Sequence, residues 1–228
     1  MSAGPLCLVG GDEWTDGCTF DAALLSESGA ASVAVLPTAA AYEGPDGVMD
    51  QARGWFGALG VEVVEVPVLR RADALDEENV RRVRESPFIY LAGGPAGGSP
   101  MHLRSVLKDS PLFDAIVAAW RDGAVLAGAA AGGSVLFDHM VDSRGGAFTV
   151  GLGLLSGFTM IQRYDSWSHE KVHRTVGLAT AGLVVVGVEV RTALVHRGGA
   201  GWTVEGVGSV HAFRDGAPAD LASLPALD

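Results

Sequence analysis

Cysteine is nearly absent: Cys7 and Cys18 are the only two in 228 residues. Two thiols are too few for a disulfide framework, so a reducing, cytoplasmic setting is the expectation. Basic charge is also short. Sixteen Lys and Arg stand against 27 Asp and Glu, a net charge of −11, and such a chain matches the phosphate backbone of nucleic acid poorly. No apolar run reaches membrane-spanning length, because Gly, Asp or Arg interrupts each one. The first residues, MSAGPLCLVGG, carry no basic n-region, so neither a secretory signal nor a membrane partner is expected. Repeats, low-complexity stretches and an interdomain linker are missing as well. One domain over residues 1–228 is the reading.

What is present is apolar and alternating. Hydrophobic residues make up 48% of the chain, enough for a sizeable core. Apolar runs at Leu6–Val9, Ser32–Leu36, Val61–Val68, Phe88–Ala92, Ala124–Ala127, Phe158–Ile161 and Leu183–Val188 read as strands. Helical patterns lie between most of them: Cys18–Ser28, Gly47–Leu59, Asp76–Glu85, Met101–Leu107, Leu112–Trp120 and about Trp167–Leu178. This alternation predicts an α/β fold, a three-layer sandwich around a mainly parallel sheet. The segments TALVH, WTVEGV and SVHAF, within Thr192–Arg214, predict a small C-terminal antiparallel meander.

Ligands of such sheets bind beyond the carboxyl ends of the strands. Five loops are expected to converge there: Gly10–Gly17, Thr38–Gly44, Gly93–Ser99, Gly128–Gly133 and Gln162–Trp167. The fourth is the most telling. In AVLAGAAAGGSVLFDHM, Ala124–Met140, a buried strand runs into a tight small-residue turn and then into a helix expected over Ser134–Met140. Strand–turn–helix is the elbow on which α/β hydrolases raise a nucleophile. The tip here is Ala130, whose methyl group cannot attack a carbonyl.

The runs VLPTAAAYEGP, GGSPMHLRSVLKDSPLFDAIVAAWRDGAVLAG, VDSRGGAFTVGLGLLSG and GVEVRTALV resemble peptidase family S51. That family contains dipeptidase E and cyanophycinase and shares the class I glutamine amidotransferase-like fold. The similarity runs in order along nearly the whole chain. It implies a Ser-His-Glu hydrolase, with the serine in a G-x-S-A-G-A elbow. The positions matching those three roles hold Ala130, Arg163 and Val190, with Glu189 retained as the first acidic residue of its segment. Arginine stays charged and cannot serve as a general base at neutral pH. The resemblance thus implies a member without the serine mechanism, and dimeric relatives make a homodimer an expectation by analogy.

The sequence still offers three kinds of chemistry. His169, Glu170, Lys171, Val172 and His173 spell H-E-x-x-H. On a helix both imidazoles could take one zinc, with Glu170 as base and Asp165 or Glu189 as third ligand. A solvated helix bearing the same residues is the plain alternative, and no cofactor is the leading expectation. Ser134 and Ser99 are the alternative nucleophiles; Gly98 and Ser99 fit a binding role better, as an anion nest in the glycine-rich loop. Cys7 reads as an inert strand residue, and Cys18, near a helix start, as structural or as a thiol of lowered pKa. Finally, Arg163, Tyr164, Asp165 and Trp167 can rebuild a pocket facing Ala130 and Ala131. Otherwise Arg163 simply pairs with an acid such as Glu189 or Glu13. The leading reading is a non-hydrolytic homologue binding a small amino-acid- or short-peptide-like ligand. The competing reading is replaced chemistry in the same cleft, with Tyr164, Asp165 and Glu189 as acid–base candidates. A residual peptidase comes third.

Overall fold

The computed structural model describes residues 3–227. Five strands run parallel through its centre: β1 (Leu6–Val9), β2 (Ser32–Leu36), β3 (Glu62–Glu65), β4 (Phe88–Leu91) and β5 (Val125–Ala129). Their order is β1-β5-β4-β2-β3. Cys7, Ala127, Tyr90 and Val35 lie side by side across four of them. Every residue of β1, β4 and β5 is buried, as both faces of a parallel sheet are covered.

Helices α1 (Phe20–Ser28) and α2 (Pro45–Ala58) cover one face through Phe20, Leu24, Met49, Ala52 and Phe56. On the other lie α3 (Glu77–Arg84), α4 (Pro100–Leu107) and α5 (Pro111–Arg121), led by Val83, Leu103, Leu107, Ile116 and Trp120. Their starts are legible in the sequence. Asp76, Ser99 and Ser110 each accept a backbone N–H of the first turn, and proline fills the first position of α4 and α5. Among the described residues no helix is long and apolar enough to cross a membrane.

Two expectations change. The elbow helix, α6, spans only Ala131–Ser134, and His139–Val141 is a strand, β6, paired with β7 (Phe148–Val150). The chain leaves the helix because its carbonyls are taken elsewhere: Leu152 N–H donates to Val135 O, Leu154 to Leu136 O and Gly153 to Phe137 O. The C-terminal strands, in turn, are antiparallel but do not form one meander. β10 (Thr192–His196) and β11 (Trp202–Gly206) extend the large sheet beyond β1. β12 (Val210–Arg214) pairs instead with β9 (Val184–Val188) in a second sheet, β13-β12-β9-β8, which includes β8 (Phe158–Ile161) and β13 (Ala217–Ala219). Helix α7 (His169–Gly177) lies against this second sheet through Val176.

Candidate active site

All five expected loops meet at the carboxyl ends of β1, β4 and β5. Ala130 N–H donates to Val9 O at 2.9 Å, Ala131 N–H to Gly97 O at 3.0 Å and Arg163 N–H to Gly10 O at 2.8 Å. Ser99 N–H donates to Ala39 O at 2.9 Å. Ala130 is fully buried, with φ 46° and ψ −110°, outside the regions open to L-residues at low cost. The turn is this tight because Gly132 packs on β4: a methyl group there would lie 2.0 Å from Leu91 O.

Arg163 sits directly over this elbow. A methyl group on Gly97 would lie 3.3 Å from Arg163 Cδ and 3.7 Å from Ala130 Cβ, so the three share one small space. The guanidinium reaches Asp12, with Nη1 2.5 Å from Oδ1. Sequence reasoning offers Glu189 or Glu13 as its partner, and both are occupied otherwise. Glu13 is buried, and its Oε1 accepts from Gly93 N–H at 2.8 Å and Gly94 N–H at 3.0 Å. Burial raises the Glu13 carboxyl above its ordinary pKa, against the pull of those amides. Glu189 accepts from Ser209 N–H and contacts His211 Nε2 at 2.8 Å, and the His211 bond holds its pKa low.

The remaining residues of the expected pocket face elsewhere. Tyr164 lies flat on Gly187 and stacks on His211 at 4.5 Å, within the second sheet. Asp165 Oδ1 accepts the Val190 N–H. Trp167 carries Lys171 Nζ over its ring at 3.5 Å. Gly98 and Ser99 line a separate cavity of about 260 Å³ with Met101, Met140, Asp142 and Arg144, and Ser99 Oγ caps α4. Ser134 is buried, with Oγ directed at Ala131 O and Gln162 Oε1. Both cysteines are buried and unbridged, and burial raises rather than lowers the Cys18 thiol pKa.

His169, Glu170 and His173 are exposed on α7, and Glu170 lies 3.5 Å from Arg174. The candidate third ligands, Asp165 and Glu189, hold the contacts described above. Among the described residues no three His, Cys, Asp or Glu side chains gather into a metal site.

One feature of the cleft is hidden from sequence patterns. Seven described non-glycine residues have positive φ, and four of them lie at this cleft: Asp12, Ala130, Arg163 and Arg191. Such angles are uncommon for residues with a Cβ and concentrate at functional sites.

Residues 14–198 match the sequence profile of peptidase family S51. The chain belongs to peptidase family S51. A crystal structure of a peptidase from an acI-B1 Actinobacterium is similar to it at 29% identity and a TM-score of 0.81, covering 93% of this chain and 91% of that one. A putative peptidase E protein from Listeria monocytogenes EGD-e has the same fold at 17% identity and a TM-score of 0.66, covering 91% of this chain and all of that one. No curated protein matches the sequence. Within the S51 fold, the elbow tip of this chain is an alanine and the residue covering it is an arginine.

Proposed function

We propose that this chain is an S51 homologue that does not hydrolyse peptides by the serine mechanism and that binds a small amino-acid- or peptide-like ligand in the cleft at the elbow. One observation carries the reading: Ala130 keeps the strained elbow backbone while offering no hydroxyl, and Arg163, paired with Asp12, covers it. Acyl transfer needs a nucleophile, a base to take its proton and a group to orient that base. Ala130 cannot be the first, Arg163 cannot be the second, and Val190 has no carboxylate to be the third. The strain clustered around the cleft supports a retained binding role, because such angles persist where the surroundings enforce them. The same cluster supports the second reading, an altered reaction in this cleft.

Dipeptide hydrolysis tests the proposal. Against a panel of dipeptides the wild-type protein is expected to release amino acids no faster than buffer, while equilibrium binding of at least one panel member is measurable. Turnover that a serine-directed fluorophosphonate abolishes would overturn it. Joint replacement Ala130→Ser, Arg163→His and Val190→Glu restores the three side-chain types, and hydrolysis by that variant would support retained substrate binding.

A further inference from the structure

A cavity of about 420 Å³ opens beside the elbow, beyond the Asp12–Arg163 pair, walled by Asp12, Glu13, Thr15, Gln51, Gly94 and Arg191. It is a charged cavity, and the charges are of both signs. We infer that it binds the zwitterion of a free α-amino acid, with the ammonium on the Asp12 and Glu13 carboxylates and the carboxylate on Arg191. The inference deepens the ligand-binding reading of the cleft without requiring that Ala130 be idle.

The acidic end is built, not incidental. Glu13 is only 4% exposed, and its Oε1 accepts from the Gly93 and Gly94 N–H groups. A carboxylate this buried is costly unless donors meet it, and those amides hold Glu13 in the cavity wall. Asp12 uses only Oδ1, on Arg163. Gln51 Nε2 donates to Glu13 O at 3.1 Å, which fixes the amide and leaves its Oε1 as an acceptor. Two carboxylate oxygens and an amide oxygen match the three N–H donors of a primary ammonium.

The basic end is equally specific. Arg191 forms no ion pair with any described residue, in contrast to Arg163 and Arg197, which each hold an acid. Its backbone is pinned on both sides: its N–H donates to Gly11 O at 2.8 Å and its carbonyl accepts from Val207 N–H at 3.2 Å. The backbone takes φ 54°, so the guanidinium rises from a fixed base at the rim. Its planar fork suits a carboxylate. The volume is within the range of small-ligand sites, and walls carrying opposite charges disfavour a simple anion or a simple cation.

The test uses the full chain and the twenty proteinogenic L-amino acids, each at millimolar concentration, by thermal shift and then calorimetry. At least one is expected to bind, and its N-acetyl and carboxamide derivatives are expected to bind about ten-fold or more weakly, a loss of about 1.4 kcal/mol. Arg191→Gly should weaken binding by a similar factor with the fold intact, because glycine accepts the positive φ. Glu13→Gln should do so too, since the amide oxygen still accepts from Gly93 and Gly94. Melting temperatures of both variants check folding, and Arg191→Lys, which keeps charge but loses the fork, should fall between. Absence of binding by every amino acid, equal affinity in Arg191→Gly, or equal affinity for the carboxamide would overturn the inference. Dipeptide binding that survives Arg191→Gly would leave the proposed function standing alone. Serine-type turnover would remove the proposed function and leave this site untouched.

Discussion

Asp21 on α1 has no solvent contact. Trp55 Nε1 donates to its Oδ2 at 3.0 Å, while Oδ1 has no partner in the protein. Burial, opposed by the Trp55 bond and helped by nearby Glu13, pushes its pKa up to about 8. The carboxyl is therefore neutral in the native state at neutral pH and ionised in the unfolded chain. Its contribution to stability is full below the unfolded value of 3.8 and is lost as pH rises through about 8. Asp21→Asn keeps the shape without the titration. Denaturant melts of the two proteins should diverge between about pH 4 and pH 8, with the variant gaining on the order of several kcal/mol relative to wild type across that window. Parallel profiles would refute it. Ala130 makes a second prediction at this scale. Its backbone strain costs about 1–3 kcal/mol, whereas glycine adds about 0.5–1 kcal/mol of chain entropy to the unfolded state. Ala130→Gly should stabilise the protein by about 1 kcal/mol, read from the denaturation midpoint; a loss of stability would show that the methyl group packs better than the angles suggest.

Helix α7 shows how far a motif travels without its surroundings. The i, i+4 spacing does place His169 and His173 on one side of a helix, but the helix lies outside the second sheet with both imidazoles exposed. Chelator treatment should leave the melting temperature unchanged, and elemental analysis should find less than one zinc per chain; stoichiometric zinc lost from His169→Ala would establish the metal reading. The elbow was more legible. Its strand, its small residues and Ala130 at the tip follow from local sequence, because a buried strand entering a glycine turn leaves few options. The length of α6 does not, since residues 152–154 capture the carbonyls of 135–137. The position of Arg163 followed from the order of motifs. Its partner did not, because Asp12 is 151 residues away and the contact depends on β1 and β8 ending at the same place. Tyr164 and Asp165 turn away from Ala130 because β9 and β12 form a separate sheet, a division that alternation of apolar residues cannot encode.

The two larger sheets are joined by the long β5–β8 connection, which carries the β6–β7 ribbon, and by two short crossings. One runs from β9 to β10 through Glu189–Arg191, the other from β11 to β12 through Val207–Ser209. The crossings are stitched to each other: Ser209 N–H donates to Glu189 Oε2 at 2.9 Å, Gly208 N–H to Thr192 Oγ1 at 2.9 Å and Val207 N–H to Arg191 O at 3.2 Å. The faces of the two sheets also share one apolar core, in which Val186 and Val188 of β9 join Leu6 and Leu8 of β1. Neither sheet can then open while the other stays closed. Amide exchange in β8 and β9 should be governed by the same opening free energy as in β1 and β5, and thermal unfolding followed by tryptophan fluorescence and by far-ultraviolet dichroism should give one coincident transition. Earlier exchange of the second sheet would show two units. Because the paired crossings also carry Arg191 to the rim of the charged cavity, a ligand held there would tighten the joint between the sheets, and occupancy would register as cooperativity of the entire chain.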